Sequence, residues 1–222
     1  MSSVNPFYTF NYSQPEEYRF SHDSVFLARQ VFEAINPDEI ASLKGLDLCA
    51  GCGIIGLDFI FHCQKELRTS PLSFDFIEVQ DIYREHFNRN SQNISADKTS
   101  LQFLNINYAE LLSEPYQARY DLIVCNPPYF RPGQGKMSPS EFKNRCRFFI
   151  DSDFKTLLTA IARALSPKGQ AYVLLRSLED HGFDALQEAR EILSGIGHIE
   201  PWADIRGTHA VRITRHGTII PS

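Results

Sequence analysis

The chain has 222 residues, 43% of them hydrophobic, which is enough for one globular domain with a substantial core. Its 22 basic and 27 acidic side chains leave a net charge of −5, which argues against a protein that coats nucleic acid by bulk charge. No apolar run approaches the roughly 20 residues of a membrane span, and the polar start Met1-Ser2-Ser3-Val4-Asn5 is no signal peptide, so a cytoplasmic protein without a membrane partner is expected.

Residues 1–22 are rich in aromatics (Phe7, Tyr8, Phe10, Tyr12, Tyr18, Phe20) without periodicity and read as an ordered extension lying over another part of the molecule. Asp23 or Ser24 can cap a helix running to Asn36, with Phe26, Leu27, Val31, Phe32 and Ile35 as its apolar stripe. Gly45 to Ala50 reads as a first strand, followed by the loop Gly51-Cys52-Gly53-Ile54-Ile55-Gly56 and an apolar helix to about Leu67. A second strand, Phe74 to Ile77, ends in Glu78; a helix carrying Val79, Ile82, Phe87 and Ile94 leads to a third, Leu101 to Leu104, ending at Asn105-Ile106. The run Tyr120 to Cys125 suits a strand covered on both faces in a parallel sheet. Phe154, Leu157, Leu158, Ile161, Ala162 and Leu165 then mark the clearest helix, closed by Ser166-Pro167-Lys168-Gly169. Ala171 to Leu175 is a fifth strand, a helix from about Asp180 reaches Leu193, and strands near His198 to Asp204 and Ala210 to Thr214 fit a terminal hairpin. The alternation predicts a doubly wound α/β sheet in a single domain, with residues 1–44 as extension and helix and 45–222 as the core.

The cysteines (Cys49, Cys52, Cys63, Cys125, Cys146) are odd in number and mostly sit in apolar runs, as reduced core residues do. Cys49-x-x-Cys52 has no second ligand pair at matching spacing, so no metal is expected. The glycine loop between strand and helix permits a tight turn and close backbone approach to a ligand. Glu78, 22 residues beyond Gly56 at a strand end, is placed to grip both hydroxyls of a ribose. These features alone serve a dinucleotide as well as any other nucleoside. Asp47, four residues before Gly51, points away from NAD, because an acid there can reach the ammonium of an amino-acid moiety.

The stretch Asn126-Pro127-Pro128-Tyr129 completes the argument. Two prolines cannot continue a strand ladder, so the chain leaves β structure in a fixed extended turn that presents an amide, proline carbonyls and a ring. An amide or exocyclic NH2 is a poor nucleophile because its lone pair is delocalised. If the Asn126 oxygen and the Pro127 carbonyl each accept one N–H, the nitrogen is drawn toward tetrahedral geometry and its lone pair becomes available. Tyr129 can stack on the base that carries the amine. From Arg131 to Arg147 five bases face one acid, a local charge of +4 immediately after the turn. Another +3 lies from Arg206 to the end, so the remaining chain carries −12.

Asp47-Leu48-Cys49-Ala50-Gly51-Cys52-Gly53 resembles the first motif of class I S-adenosylmethionine-dependent methyltransferases, a Rossmann-like fold of seven mostly parallel strands whose last strand is antiparallel. The resemblance extends to Phe7-x-x-Phe10, Gln14, Tyr18 through Ala28 and Asn126 through Phe130 with Gly133, Gly135, Lys136 and Arg145, which are similar to the bacterial YfiC-type family. That resemblance implies methyl transfer to the N6 amine of adenine in a tRNA, with S-adenosylmethionine as donor. The implied donor site comprises Asp23, Asp47, Cys49, Gly51, Gly53, Glu78, Asn105 and Ile106; Asn126, Pro127, Pro128 and Tyr129 are catalytic, and Phe130, Lys136 and Arg145 meet the substrate. Another nucleobase amine in ribosomal RNA, a protein glutamine amide and a small molecule are the alternatives. The glutamine enzymes usually carry a separate N-terminal helical domain and fewer than about 45 residues precede the first strand here, so RNA is expected ahead of a protein amide, and ahead of DNA, for whose target-recognition domain no segment is left over. Oligomeric state is left open, a monomer included.

Overall fold

The computed structural model describes residues 11–94, 99–178 and 182–216. Phe7, Tyr8 and Phe10 of the aromatic extension lie outside them, as do Glu179, Asp180 and His181. One sheet contains β1 (Lys44–Leu48), β2 (Ser73–Ile77), β3 (Ser100–Leu104), β4 (Tyr120–Cys125), β5 (Leu165–Leu175), β6 (Gly197–Ile205) and β7 (Thr208–Arg215), in the order β3-β2-β1-β4-β5-β7-β6. The pairs among β1 to β5 are parallel. β7 runs antiparallel to both its neighbours, as the expected sheet requires, and it lies between β5 and β6 rather than at the edge.

β1, β2 and β4 bury both faces, and alternate residues go to different layers. In β4, Leu122 and Val124 pack with α1 (His22–Ala34), α2 (Ile54–His62) and Phe87 of α3 (Tyr83–Ser91). Ile123 and Cys125 pack with α5 (Phe154–Ala164) and α6 (Ala185–Leu193) on the other side. Leu122, Ile123, Val124 and Cys125 are wholly buried, and covering each large apolar side chain stabilises the fold by about 1.5–3 kcal/mol. Among the described residues no helix is long and apolar enough to cross a membrane.

Several local expectations are corrected. The cap of α1 is Ser21, whose Oγ accepts from the Asp23 N–H; neither Asp23 nor Ser24 caps it. Ser166 to Gly169 does not separate α5 from β5 but forms an irregularity inside β5, where the register slips between Tyr120 and Leu122. Ser166 Oγ donates to Asp121 of β4 there, and Gly169 lies so close to the Tyr120 carbonyl that a Cβ would sit 2.6 Å from it. The basic stretch contains a short helix, α4 (Glu141–Arg147), capped by Ser140 and ending in Arg145 and Arg147, cations that suit a helix C-terminus. The sixth helix starts at Ala185 with Asp184 as its cap, later than expected.

Asp47 of the first motif and Gly56, three residues beyond it, fix α2 against the sheet. A Cβ on Gly56, at the start of α2, would lie 2.6 Å from the Phe76 ring and 2.8 Å from the Phe74 ring, so the helix reaches the sheet only because this residue has no side chain. Gly56→Ala should lower the unfolding free energy by about 1–3 kcal/mol in urea denaturation. Asp47, expected at the ammonium of a ligand, is instead fully buried under α2, where Oδ2 accepts from the Gly56 N–H at 2.8 Å and Oδ1 has no partner among the described residues. Burial pushes its carboxyl well above 3.8, the Gly56 N–H pulls it back in part, and the charge of Glu78 adds to the rise. A group raised in this way keeps in the fold a proton that the unfolded chain releases, so its stabilising contribution is complete below pH 3.8 and is lost as pH rises toward the folded value. The difference in unfolding free energy between Asp47→Asn and wild type should therefore move in favour of the variant from pH 4.5 to pH 7.5, about three units of that range, in paired urea titrations.

Candidate active site

A cavity of about 430 Å³ opens at the carboxyl ends of β1, β2, β4 and β5, reaching from Ile106 and Asn107 beyond β3 to Arg176 and Thr208 at the far side. A volume of that size suits one drug-sized ligand. Gln14, Tyr18 and Phe20 of the N-terminal segment border it as well. That segment is tied down by Asn90 of α3, which bonds the backbone N–H and carbonyl of Ser13 and the carbonyl of Cys52.

On the β1 side the backbone turns through Cys49, Gly51 and Gly53 with φ of 57°, 52° and 83°. The Gly51 N–H donates to Glu78 Oε2 and the Gln80 N–H to Glu78 Oε1, each at 2.9 Å. Burial raises the Glu78 carboxyl, and these two N–H groups, with the Arg145 guanidinium behind them, draw it back down. Each carboxylate oxygen still has a lone pair for a further donor, and Glu78 lines the cavity. It is equipped to accept from two neighbouring hydroxyls, as on a ribose. Cys49, Gly51, Asp23 and Ile106 border the same space.

Gly53 and Asn105 do not. Gly53 begins α2 in the left-handed region, where a Cβ would lie 2.8 Å from the Phe87 ring, so packing and not ligand approach demands the glycine. Asn105 turns its Nδ2 to the Glu78 carbonyl at 2.9 Å, and Asn107 takes the place on the cavity wall expected for it. Among the described residues no group of three His, Cys, Asp or Glu is placed to hold a metal ion.

On the β4 side the Asn126 amide is held at both ends. Its Nδ2 donates to Ser24 Oγ at 2.9 Å, and its Oδ1 accepts from the Tyr129 hydroxyl at 2.5 Å. The turn is pinned from outside, because the Tyr129 and Phe130 N–H groups both donate to the Arg147 carbonyl and the Phe149 N–H donates to the Phe130 carbonyl. Among the described residues no donor takes the Pro127 carbonyl. Pro127, Pro128 and Phe130 also line the cavity. Burial raises the Tyr129 hydroxyl, and nearby Asp23 adds to the rise, which keeps it a proton donor.

Two of the five bases in this stretch pair with acids outside it. Arg145 lines the cavity but makes a forked ion pair with Asp151, at 2.7 Å from Nη2 and 3.0 Å from Nε. Arg131 pairs with Glu188 and lies 4.4 Å over the Phe183 ring. Arg147 lies over Phe130 and Phe148. Lys136 is exposed and outside the cavity wall. Sequence reasoning missed Arg176, Thr208 and Asn107 at the site, and Ser24, read as a candidate cap, bonds Asn126 across 102 positions of chain.

The fold is shared with enzymes of known structure. Ribosomal protein L11 methylase from Lactobacillus delbrueckii subsp. bulgaricus superposes with a TM-score of 0.56 at 14% identity, covering 88% of this chain and 80% of that one. TrmN from Thermus thermophilus does so at 0.53 and 15% identity, covering 86% of this chain and 48% of that one. Among curated sequences, tRNA1(Val) (adenine(37)-N6)-methyltransferase of Flavobacterium psychrophilum is 30% identical over 147 residues, 66% of this chain and 58% of that protein. The enzyme of that name from Shewanella sp. W3-18-1 is 32% identical over 143 residues, 64% of this chain and 56% of that protein. The chain thus matches little more than half the length of these relatives. The profile of the methyltransferase small domain matches residues 18–142, which take in α1, the glycine loop, Glu78 and the Asn126 turn. On that match, joined to the sheet order and the cavity at its carboxyl edge, the chain belongs to the methyltransferase small domain family.

Proposed function

We propose that the protein transfers a methyl group from S-adenosylmethionine to the exocyclic amine of a nucleobase in RNA, adenine N6 in a tRNA. The observation that carries this reading is the Asn126 amide, fixed between Ser24 and Tyr129 at the wall of a cavity whose opposite side presents Glu78. The curated relatives supply the adenine and the tRNA.

The residues fit the donor. Glu78 has free acceptor capacity for the ribose hydroxyls, Ile106 and Asn107 border the adenine end, and Cys49 and Gly51 border the rest. Asp47 is sealed beneath α2 and does not border the cavity. When bound, S-adenosylmethionine supplies an electrophilic methyl group on a sulfonium centre. The protein's own work is on the nucleophile. Asn126 Oδ1 already takes one hydrogen bond from Tyr129, and its second lone pair accepts an N–H of the target amine. The Pro127 carbonyl accepts the other, and the nitrogen lone pair is left to face the methyl group. Tyr129 contributes its ring as a stacking surface and its hydroxyl as the brace that stops the Asn126 amide from rotating.

Purified protein incubated with S-adenosylmethionine and unmodified tRNA should yield N6-methyladenosine on nucleoside mass spectrometry. Asn126→Ala should lower turnover by a factor on the order of 10² to 10³ without changing donor affinity, the loss expected on removing one preorganised polar group where charge develops. A wild-type rate in that variant would remove Asn126 from the mechanism. Tyr129→Phe keeps the ring and deletes the brace, so turnover should fall by about 3- to 10-fold, the worth of one neutral hydrogen bond. Glu78→Ala should weaken S-adenosylmethionine binding in calorimetry by about 1.5–3 kcal/mol, the scale of hydrogen bonds to a charged group.

A further inference from the structure

Three arginines line the cavity, Arg145, Arg147 and Arg176. The first is paired with Asp151 and the second lies over Phe130 and Phe148. Arg176 is exposed, and among the described residues its guanidinium meets no carboxylate at ion-pair distance and no aromatic ring. It is the first residue after β5, and it lines both the cavity and a narrow groove behind the Pro127-Pro128 turn that Phe149 and Phe183 also border. Asp23, which lines the same cavity, accepts from the Thr208 hydroxyl at 3.2 Å and makes no ion pair with Arg176 among the described residues.

The order of strands gives this position its meaning. The glycine loop follows β1, Glu78 follows β2 and Ile106 follows β3, all on one side of Asn126, which follows β4. Arg176 follows β5, on the other side. A donor held by Glu78 and the glycine loop fills the first side, and the target must come to Asn126 from the second. A base whose amine reaches Asn126 brings its phosphodiester with it. An exposed guanidinium, with a planar fork of N–H donors and no carboxylate at ion-pair distance among the described residues, matches a phosphate in geometry and charge, and neutralising that phosphate releases counterions condensed on the RNA.

We propose that Arg176 binds a backbone phosphate of the target RNA strand and thereby positions the target base at Asn126. The proposal rests on the methyl-transfer reading above. It makes Arg176 a positioning residue, because it touches the substrate away from the reacting nitrogen.

The test uses the full chain with S-adenosylmethionine and an unmodified tRNA transcript, comparing wild type, Arg176→Ala and Arg176→Lys over about 50 to 300 mM salt, a range in which phosphate contacts are resolved. In Arg176→Ala the KM for RNA should rise about tenfold with kcat within about twofold, as for loss of one charge-assisted contact. The slope of log kcat/KM against log salt should become shallower by about 0.7 to 0.9, the value of one phosphate. Arg176→Lys should keep the wild-type slope, because the charge remains, and lose part of the affinity, because the fork does not. Calorimetric affinity for S-adenosylmethionine should be the same in all three. An unchanged RNA KM and salt slope in Arg176→Ala, or a loss of donor affinity there, overturns the role of Arg176 alone. Donor binding by wild type with methyl transfer to a protein amide and none to RNA overturns the RNA reading, and the phosphate contact with it.

Discussion

Between β1 and α2 the backbone passes through three residues in the left-handed region, and two buried carboxylates take up N–H groups along this passage. Asp47 accepts from Gly56 and Glu78 from Gly51, while Glu78 also takes the Gln80 N–H at the end of β2. Taking an ionisable group out of water is costly unless it is hydrogen-bonded. The cost is tolerated here because each carboxylate satisfies backbone donors that neither strand nor helix can reach. Glu78 also ties the loop after β1 to the strand beside it, and the cavity wall is set before any ligand arrives.

The opposite wall is built on another plan. Two prolines deny the turn after β4 its own hydrogen bonds, so its conformation is imposed by neighbours: the Arg147 carbonyl from α4, the Ser24 hydroxyl from α1 and the Tyr129 hydroxyl from within the turn. The Asn126 amide is therefore held by α1 and by the turn's own tyrosine, while α4 holds the backbone that follows it. Cationic side chains nearby are mostly committed to carboxylates or rings, so the field at the cavity comes from a few oriented groups and not from a basic surface.

What the sequence made legible was whatever repeats with a period or is written in adjacent residues. The two-sided burial of Tyr120 to Cys125, the stripe of α5 and the glycine loop were all readable, and they determine the sheet. α4 was not, because seven residues rich in charge carry little periodicity and its cap, Ser140, is a residue equally at home in a loop. Charge counting placed five bases after the turn but could not see Asp151 and Glu188 folding back on two of them. Asp47 misled for a related reason: motif spacing locates a residue along the chain, whereas the choice between ligand and helix N–H depends on which way a strand residue faces. Arg176 follows the buried end of β5, and its position on the far side of Asn126 follows only from the pairing of β4 with β5.

The place of β7 bears on how the protein is made. Residues 208–215 fill the gap between β5 and β6, so the sheet cannot be closed until they have left the ribosome. β1 to β5, with the glycine loop, Glu78 and the Asn126 turn, are all synthesised by residue 176 and pair without them. During that interval β5 exposes an unpaired edge, the kind of surface on which nascent chains associate wrongly. Elongation at about 5 to 20 residues per second means that β7 arrives several seconds later. The cavity wall, apart from Thr208, is therefore made before the strand that covers the edge of β5, and that edge is where an attending factor would be needed during translation.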